Sequence, residues 1–185
     1  EIGLAPDIDQ DQTLQMALTH NKKNDERVGF ICDWVYLKVQ NPEKSLFTER
    51  FNKNDILPIQ INHGEGRFVF AEEIKETIKD VTQFSYCKAN GDNAESFPEN
   101  PNGSQLNCAG ITNKTGNVLA IMPHPERACF LKQIPTYIDS QWAIKKYGSN
   151  AEDIYEAGPW QKLFENMATY ITTQYNSVEV KEHQH

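Results

Sequence analysis

The sequence lacks the features of several protein classes. No apolar run approaches the roughly 20 residues of a membrane-spanning helix, and the first residues, EIGLAP, do not resemble a signal peptide. A formal charge of −8 at pH 7 argues against a nucleic-acid partner, because binding phosphate backbones needs clustered Lys and Arg. Internal repeats and low-complexity segments are absent. With 185 residues, 38% of them hydrophobic, the chain is predicted to form a soluble globular domain.

Cysteine is scarce and shows no binding pattern. The four cysteines form no C-x-x-C pair and no Cys/His cluster with zinc-site spacing. A chain of this size does not need disulfides, so we expect free thiols in a reducing, cytoplasmic environment, each a small buried apolar side chain. The sequence therefore predicts no metal site. The cysteines are Cys32, Cys87, Cys108 and Cys129.

Short runs rich in β-branched and aromatic residues predict the strands. Pro58 suggests that its run lies at a sheet edge or a strand start, and Asn113–Gly116 favours a hairpin turn. Leu14–Leu18 is either a helical turn or part of a polar loop spanning Asp7–Asn24. The predicted strands are Val28–Cys32 continuing as Trp34–Val39, Ile56–Ile61, Arg67–Phe70, Val81–Cys87, Cys108–Thr112 and Asn117–Met122, with a short helix at Ala71–Lys79.

A final helix is predicted after Gly158, with Pro159 in its first position. Its apolar side chains follow the i, i+3, i+4, i+7 pattern of one buried face, which indicates core packing. We predict one domain at residues 1–175 and a flexible tail at residues 176–185. The apolar face consists of Trp160, Leu163, Phe164, Met167, Ala168 and Ile171.

The segment 122–127, MPHPER, is the strongest candidate for chemistry, because an apolar strand ends there abruptly. Residues two apart in extended backbone point to the same side, and Pro125 stiffens the link. His124 and Glu126 are therefore predicted to form a hydrogen-bonded pair. The carboxylate would fix the imidazole tautomer and leave the other ring nitrogen as a base. On spacing alone such a pair is more often a surface contact, so both interpretations stay open.

Two further segments have turn chemistry. The segment 62–67, NHGEGR, follows a predicted strand, and its glycines around a carboxylate allow a tight turn or close approach of the backbone to a ligand. The segment 100–104, NPNGS, lies in a loop predicted from residue 89 onward. Taken singly, NHGEGR is most simply a tight turn with solvated charges, and NPNGS is only a loop with turn chemistry.

Taken together and in order, these segments resemble a known family. NHGEGR, NPNGS, AGITN at 109–113 and MPHPER are similar to segments of the glutaminase unit of phosphoribosylformylglycinamidine synthase, a class I glutamine amidotransferase. FICDWVYL at 30–37 and GPWQKLFEN at 158–166 share this resemblance, which extends from about Glu1 to about Ile171.

The resemblance implies an α/β fold of the class I glutamine amidotransferase type, with three layers and a mostly parallel sheet. It implies a Cys-His-Glu triad in which His124 and Glu126 are the catalytic base and its orienting carboxylate. Asn62, Gly64 and Glu65 would bind glutamine, mainly through backbone groups. The implied activity is glutamine hydrolysis that supplies ammonia for de novo purine biosynthesis.

The resemblance also implies partners and cofactors. The expected partners are a synthetase subunit or domain of the same enzyme and a small bridging subunit. ATP and magnesium are expected on the synthetase, and no cofactor is expected on this chain.

The chain departs from the family at the nucleophile. The family cysteine lies in a G-x-C-x-G elbow, and none of the four cysteines has glycines on both sides at that spacing. Glu1–Pro6 resembles the segment just beyond the elbow helix, so we expect the N-terminal strands and the elbow to be missing. The chain is then a fragment, half of a split enzyme, or a dead glutaminase kept for structure. Alternatives for its function are a non-catalytic interaction domain that stabilises the synthetase complex and another class I amidotransferase that serves a different synthetase. The retained His124 and Glu126 favour the first two, with the isolated chain inactive.

Overall fold

The computed structural model of the chain describes residues 15–24 and 26–182, with side chains described to residue 174. The prediction for Glu1–Pro6 lies outside these ranges. The strands are β1 (Met16–Thr19), β2 (Lys22–Lys23), β3 (Glu26–Arg27), β4 (Ile31–Val39), β5 (Ile56–His63), β6 (Arg67–Phe70), β7 (Thr82–Cys87), β8 (Cys108–Thr112) and β9 (Leu119–Ile121). The α-helices are α1 (Lys75–Val81), α2 (Gln141–Tyr147) and α3 (Gln161–Glu182).

The largest sheet has five strands in the order β5-β4-β7-β8-β9. Each neighbouring pair is antiparallel, as are the two-stranded ribbons β1–β6 and β2–β3. The α/β class is confirmed, but the prediction of a mostly parallel sheet is wrong for the described residues. The connections explain this, because residues 113–118 join β8 to β9 by a tight turn. A parallel pair would need a crossover of about a dozen residues or more.

The core lies against β4, β5 and β7; buried side chains alternate with partly exposed ones in the second half of β4, whereas β7 is buried on both faces. Val35, Leu37 and Val39 of β4 are all at most 5% exposed, and they point to one face because strand side chains alternate. Trp160 belongs to this cluster, and the centroid of its ring lies 4.9 Å from that of Phe84. A second cluster includes side chains of β6, β8 and α1. Helices α2 and α3 contribute Ala143 and Leu163 to the first cluster, and α1 contributes Ile78 to the second.

The predicted strands are confirmed within a few residues, and β5, which contains Pro58, lies at the sheet edge as expected. Both alternatives for Leu14–Leu18, a helical turn and a polar loop spanning Asp7–Asn24, are wrong where the structure describes β1 and β2. Met16 begins β1 and pairs with Phe70 of β6. The local sequence could not show this, because the pairing partner lies far along the chain. Leu14 is outside the described residues.

Helix α3 differs from its prediction at both ends. Pro159 lies before α3 rather than in its first position. Trp160 is fully buried, but Ile171 is 63% exposed, so the predicted apolar face ends partway along the helix. The backbone stays helical beyond residue 175. Flexibility of residues 176–185 stays a prediction.

The sheet brings the motif segments together. Strand β5 ends at His63 and leads through residues 64–66 into β6. Beyond β9 the chain forms an antiparallel bridge between His124 and Gln60 of β5. Directly opposite residues of an antiparallel pair share a face. The side chain of His124 is thus on the face that carries Gln60 and, two residues further, Asn62.

Candidate active site

The side chains of His124 and Glu126 form the predicted pair. His124 Nδ1 and Glu126 Oε1 are 2.7 Å apart. The imidazole side chain is 30% exposed and the carboxylate side chain 56% exposed. No other hydrogen bond to the imidazole is present among the described residues, so Nε2 is available to a reacting group. The geometry therefore suits a base held in one tautomer by a carboxylate.

Backbone contacts fix this pair at the sheet edge. The His124 N–H donates to the Gln60 carbonyl at 2.8 Å. Pro125 then starts a 3-10 turn, Pro125–Ala128, which folds Glu126 back toward the imidazole. The amide of Gln133 donates to the Glu126 carbonyl at 3.0 Å.

Arg127 links the pair to β5. Its Nη1 donates to Gln60 Oε1 at 3.1 Å. The hydrogen-bonding pattern places Asn62 Oδ1 toward the same guanidinium, at 3.0 and 3.1 Å from its two terminal nitrogens. Arg127 Nε also lies 3.7 Å from Glu126 Oε1. The guanidinium thus holds Asn62 within one polar cluster with the His–Glu pair.

Gly64 and Glu65 contact a different segment. The Gly64 carbonyl accepts from the Asn21 backbone N–H at 3.1 Å. Glu65 Oε1 lies 2.9 Å from His20 Nδ1, and both side chains are substantially exposed. The structure therefore joins Asn62 to His124 and Glu126, while Gly64 and Glu65 belong to the loop that follows.

His63 is packed inside this loop. It is 6% exposed, and neither ring nitrogen has a hydrogen-bond partner among the described residues. Burial lowers the pKa of His63. A Cβ on Gly66 would lie 2.2 Å from the His63 ring, so this position requires glycine. The loop and the imidazole are therefore tightly interlocked.

The segment 100–104 forms the floor of the same loop. Asn102, which is fully buried, donates through Nδ2 to the Gly66 carbonyl at 2.8 Å. Arg67 Nε donates to the Gly103 carbonyl at 3.0 Å. Gly103 has a φ of +71°, and a Cβ there would lie 3.1 Å from a backbone oxygen of Lys22. NPNGS is thus a loop whose buried residues support the turn between β5 and β6.

Three of the four cysteines are buried thiols with raised pKa values. Burial raises the pKa of Cys87 and of Cys108 to about 12. Burial, together with the charge of Glu126, raises the pKa of Cys129 to about 11. Thiols with such values carry almost no thiolate at neutral pH. Cys32 is exposed and accepts from Gln60 Nε2 at 3.6 Å, but it lies within β4 rather than on an elbow.

Two residues of this region were missed by the sequence reasoning. Arg127 adjoins Glu126 in the motif, and that adjacency was the available signal. The sequence around Asn21 contained no such signal, because Asn21 lies in a polar stretch predicted as a loop. Among residues 15–24 and 26–182, no group of three or more His, Cys, Asp or Glu side chains could hold a metal ion. In the same ranges no helix combines the length and apolar character needed to cross a membrane.

An α/β sheet with a carboxylate-oriented histidine at a strand end and a glycine-containing loop beside it is an arrangement suited to nucleophile-assisted hydrolysis. Comparison with known families agrees with this class. The chain belongs to the CobB/CobQ-like glutamine amidotransferase domain family, which it matches over residues 1–171.

Particular relatives share one name, phosphoribosylformylglycinamidine synthase subunit PurQ. The Aquifex aeolicus protein is 46% identical over 101 residues, covering 54% of this chain and 43% of that protein. The Methanothrix thermoacetophila protein is 38% identical over 149 residues, covering 78% of this chain and 52% of that protein. The chain spans about half the length of the curated relatives it matches.

A solved structure is also similar. The chain superimposes on the structure of PurLQS from Thermotoga maritima with a TM-score of 0.51 and 31% sequence identity. The match covers 85% of this chain and 54% of that one. The class I glutamine amidotransferase-like fold is therefore confirmed, and the similarity covers about half of the larger chain.

Proposed function

We propose that this chain is the His–Glu part of the glutaminase component of phosphoribosylformylglycinamidine synthase. It would take part in hydrolysing glutamine to glutamate and in supplying ammonia for de novo purine biosynthesis. The observation that carries the proposal is the 2.7 Å contact between His124 Nδ1 and Glu126 Oε1, with Nε2 left open. The name shared by the relatives supports the choice of pathway.

The proposed mechanism uses a cysteine thiol from outside these 185 residues, because no cysteine here lies in a G-x-C-x-G elbow. His124 Nε2 takes the thiol proton as the sulfur attacks the side-chain amide carbon of glutamine. The imidazolium, stabilised by Glu126, returns that proton to the departing nitrogen, and ammonia leaves. Water then hydrolyses the glutamyl thioester to glutamate and regenerates the thiol.

The same proposal assigns the other components. Asn62, Gly64 and Glu65 contact glutamine, the last two mainly through backbone groups. Ammonia passes to a synthetase partner that binds ATP and magnesium, with a small bridging subunit in the assembly. The free thiols found at Cys32, Cys87 and elsewhere suit a reducing cytoplasm.

The test is His124→Ala in the complete enzyme that contains this sequence. Loss of a general base typically lowers the reaction rate by about a hundredfold to ten-thousandfold. The rate of glutamine-driven amidine formation is therefore expected to fall by that factor. Ammonia-driven formation is expected to stay unchanged, because free ammonia bypasses glutamine hydrolysis. The matched control is Asn150→Ala at an exposed position outside the site.

A parallel fall of both activities would refute the catalytic role and favour a non-catalytic interaction domain. The isolated 185-residue chain is expected to release no glutamate from glutamine above background. Turnover by that chain, abolished by His124→Ala, would point to a nucleophile among its own residues.

A further inference from the structure

The loop between β5 and β6 is held by two buried asparagines from opposite directions. Asn21 and Asn102 are both fully buried. They lie far apart in the sequence, yet both bond to the backbone of residues 63–66. Their own segments are also joined, because the Lys22 N–H donates to the Asn102 carbonyl at 3.0 Å.

Asn21 uses its whole amide. Its Nδ2 donates to the His63 carbonyl at 2.8 Å and to the Gly29 carbonyl at 3.2 Å. Its Oδ1 accepts from the Gly66 N–H at 3.0 Å. The Asn21 backbone N–H adds a bond to the Gly64 carbonyl. One residue thus satisfies backbone groups before, within and after the turn.

Asn102 holds the far end of the turn. Its Nδ2 donates to the Gly66 carbonyl at 2.8 Å and to the Tyr86 hydroxyl at 3.1 Å. Its Oδ1 accepts from the Ser104 hydroxyl at 2.7 Å and from the Ser104 N–H at 3.1 Å. Ser104 in turn accepts from the N–H of Phe68, the second residue of β6.

These bonds leave two backbone donors unused. Among the described residues, the N–H groups of Gly64 and Glu65 have no acceptor. Gly64 also has open space above it, since an added Cβ would come no closer than 3.9 Å to the Phe30 side chain. Within the described part of the chain, the turn therefore presents two free donors on a backbone that is bonded from behind through the carbonyls of His63, Gly64 and Gly66 and the N–H of Gly66.

We propose that Asn21 and Asn102 are positioning residues that hold the Gly64 and Glu65 amides in the geometry that binds the amide substrate. The inference rests on the proposed glutaminase function and deepens it. Buried, fully satisfied polar networks specify one local structure. Groups that orient a substrate lose effectiveness when displaced by about 1 Å, by as much as a hundredfold.

The test is made in the complete enzyme with Asn21→Asp and Asn102→Asp, which nearly preserve side-chain volume. Each variant keeps the acceptor oxygens of the side chain. It loses the amide N–H that donates to a carbonyl of the loop. The expected result is a fall in kcat/KM for glutamine of about tenfold to a hundredfold, mainly through KM. Ammonia-driven synthesis is expected to stay within about twofold of wild type. Asn150→Ala is the control.

The double variant provides a second readout. If both asparagines hold the same turn, the double variant loses less than the product of the two single effects, because coupled residues are non-additive. Tyr86→Phe is a milder variant that removes one partner of Asn102 and is expected to raise the KM for glutamine slightly. It keeps the test usable where Asn102→Asp fails to fold.

Three outcomes distinguish this inference from the function it rests on. An unchanged KM for glutamine in both asparagine variants, with His124→Ala still inactive toward glutamine, overturns only the positioning role. Equal losses with glutamine and with ammonia overturn it in favour of a general structural role. Retention of glutamine-driven activity in His124→Ala overturns the proposed function itself.

Discussion

The two parts of the candidate site are held in opposite ways. The loop 63–66 is fixed by buried side chains, and His63 within it is only 6% exposed. The His124–Glu126 pair lies at the surface, held by one backbone bridge to Gln60 and by the neighbouring Arg127. The comparison teaches that a backbone turn is made rigid by buried polar side chains, whereas the side-chain pair stays accessible. Under the proposed function, the first would bind substrate and the second would move protons. Four changes, taken from the largest expected effect to the smallest, test this contrast.

Trp160→Ala is expected to disrupt both parts together. The indole is fully buried, packs against Phe51 and Phe84, and donates to the Pro58 carbonyl of β5 at 2.9 Å. Truncating such a side chain typically costs about 3–5 kcal/mol of unfolding free energy. Urea unfolding followed by circular dichroism measures the change. Tyr147→Ala, at a position 86% exposed, is the control and is expected to change little.

Gly66→Ala is expected to damage the loop but not the pair. The new methyl group would overlap the buried His63 ring, and overpacking typically costs about 1–3 kcal/mol. Glutamine-driven activity is expected to fall as well, because the turn must shift. Gly29→Ala is the matched control, since a Cβ there meets nothing within 4 Å. Equal stability of the two variants would contradict a tightly packed loop.

The stability of the loop is expected to depend on pH through His63. Burial lowers its pKa, so the folded protein binds the proton less readily than the unfolded chain. The contribution of neutral His63 to the unfolding free energy is therefore fully present above the unfolded-state pKa of about 6.5. It declines as the pH falls below that value toward the lowered folded-state pKa. Urea midpoints between about pH 7.5 and pH 5.5 measure the decline. The urea midpoint of the His63→Asn variant is expected to fall less over this pH range. An identical fall in both proteins would contradict a pH dependence that originates at His63.

Glu126→Ala is expected to have the smallest effect on stability. The carboxylate side chain is 56% exposed, and surface changes typically shift unfolding free energy by no more than about 0.5 kcal/mol. Glutamine-driven activity is expected to fall less than in His124→Ala, because an imidazole without its orienting carboxylate still accepts a proton. Thermal melting and the two activity assays check both points. A large loss of stability would mean that the pair is structural.

Local pattern predicted much of the fold. The β-branched and aromatic residues of β4, the proline of β5 that suggested an edge strand, and the hairpin turn at Asn113–Gly116 are all short-range signals, and the structure confirms the elements they predicted. The pairing of β1 with β6 and the antiparallel character of the sheet escaped prediction. Strand partners lie far apart in sequence, and nothing local specifies them.

The sequence by itself indicated the His124–Glu126 pair through the spacing of the two residues around Pro125. The side chains meet, however, across the 3-10 turn Pro125–Ala128 and not in the extended backbone from which the pair was predicted. Only the tertiary structure decided how NHGEGR and NPNGS are used. The role of Asn21 and Asn102 depends on burial against each other's segments. The sequence does not distinguish an asparagine exposed to solvent from one that satisfies the hydrogen bonds of a buried turn, because the two differ only in their surroundings.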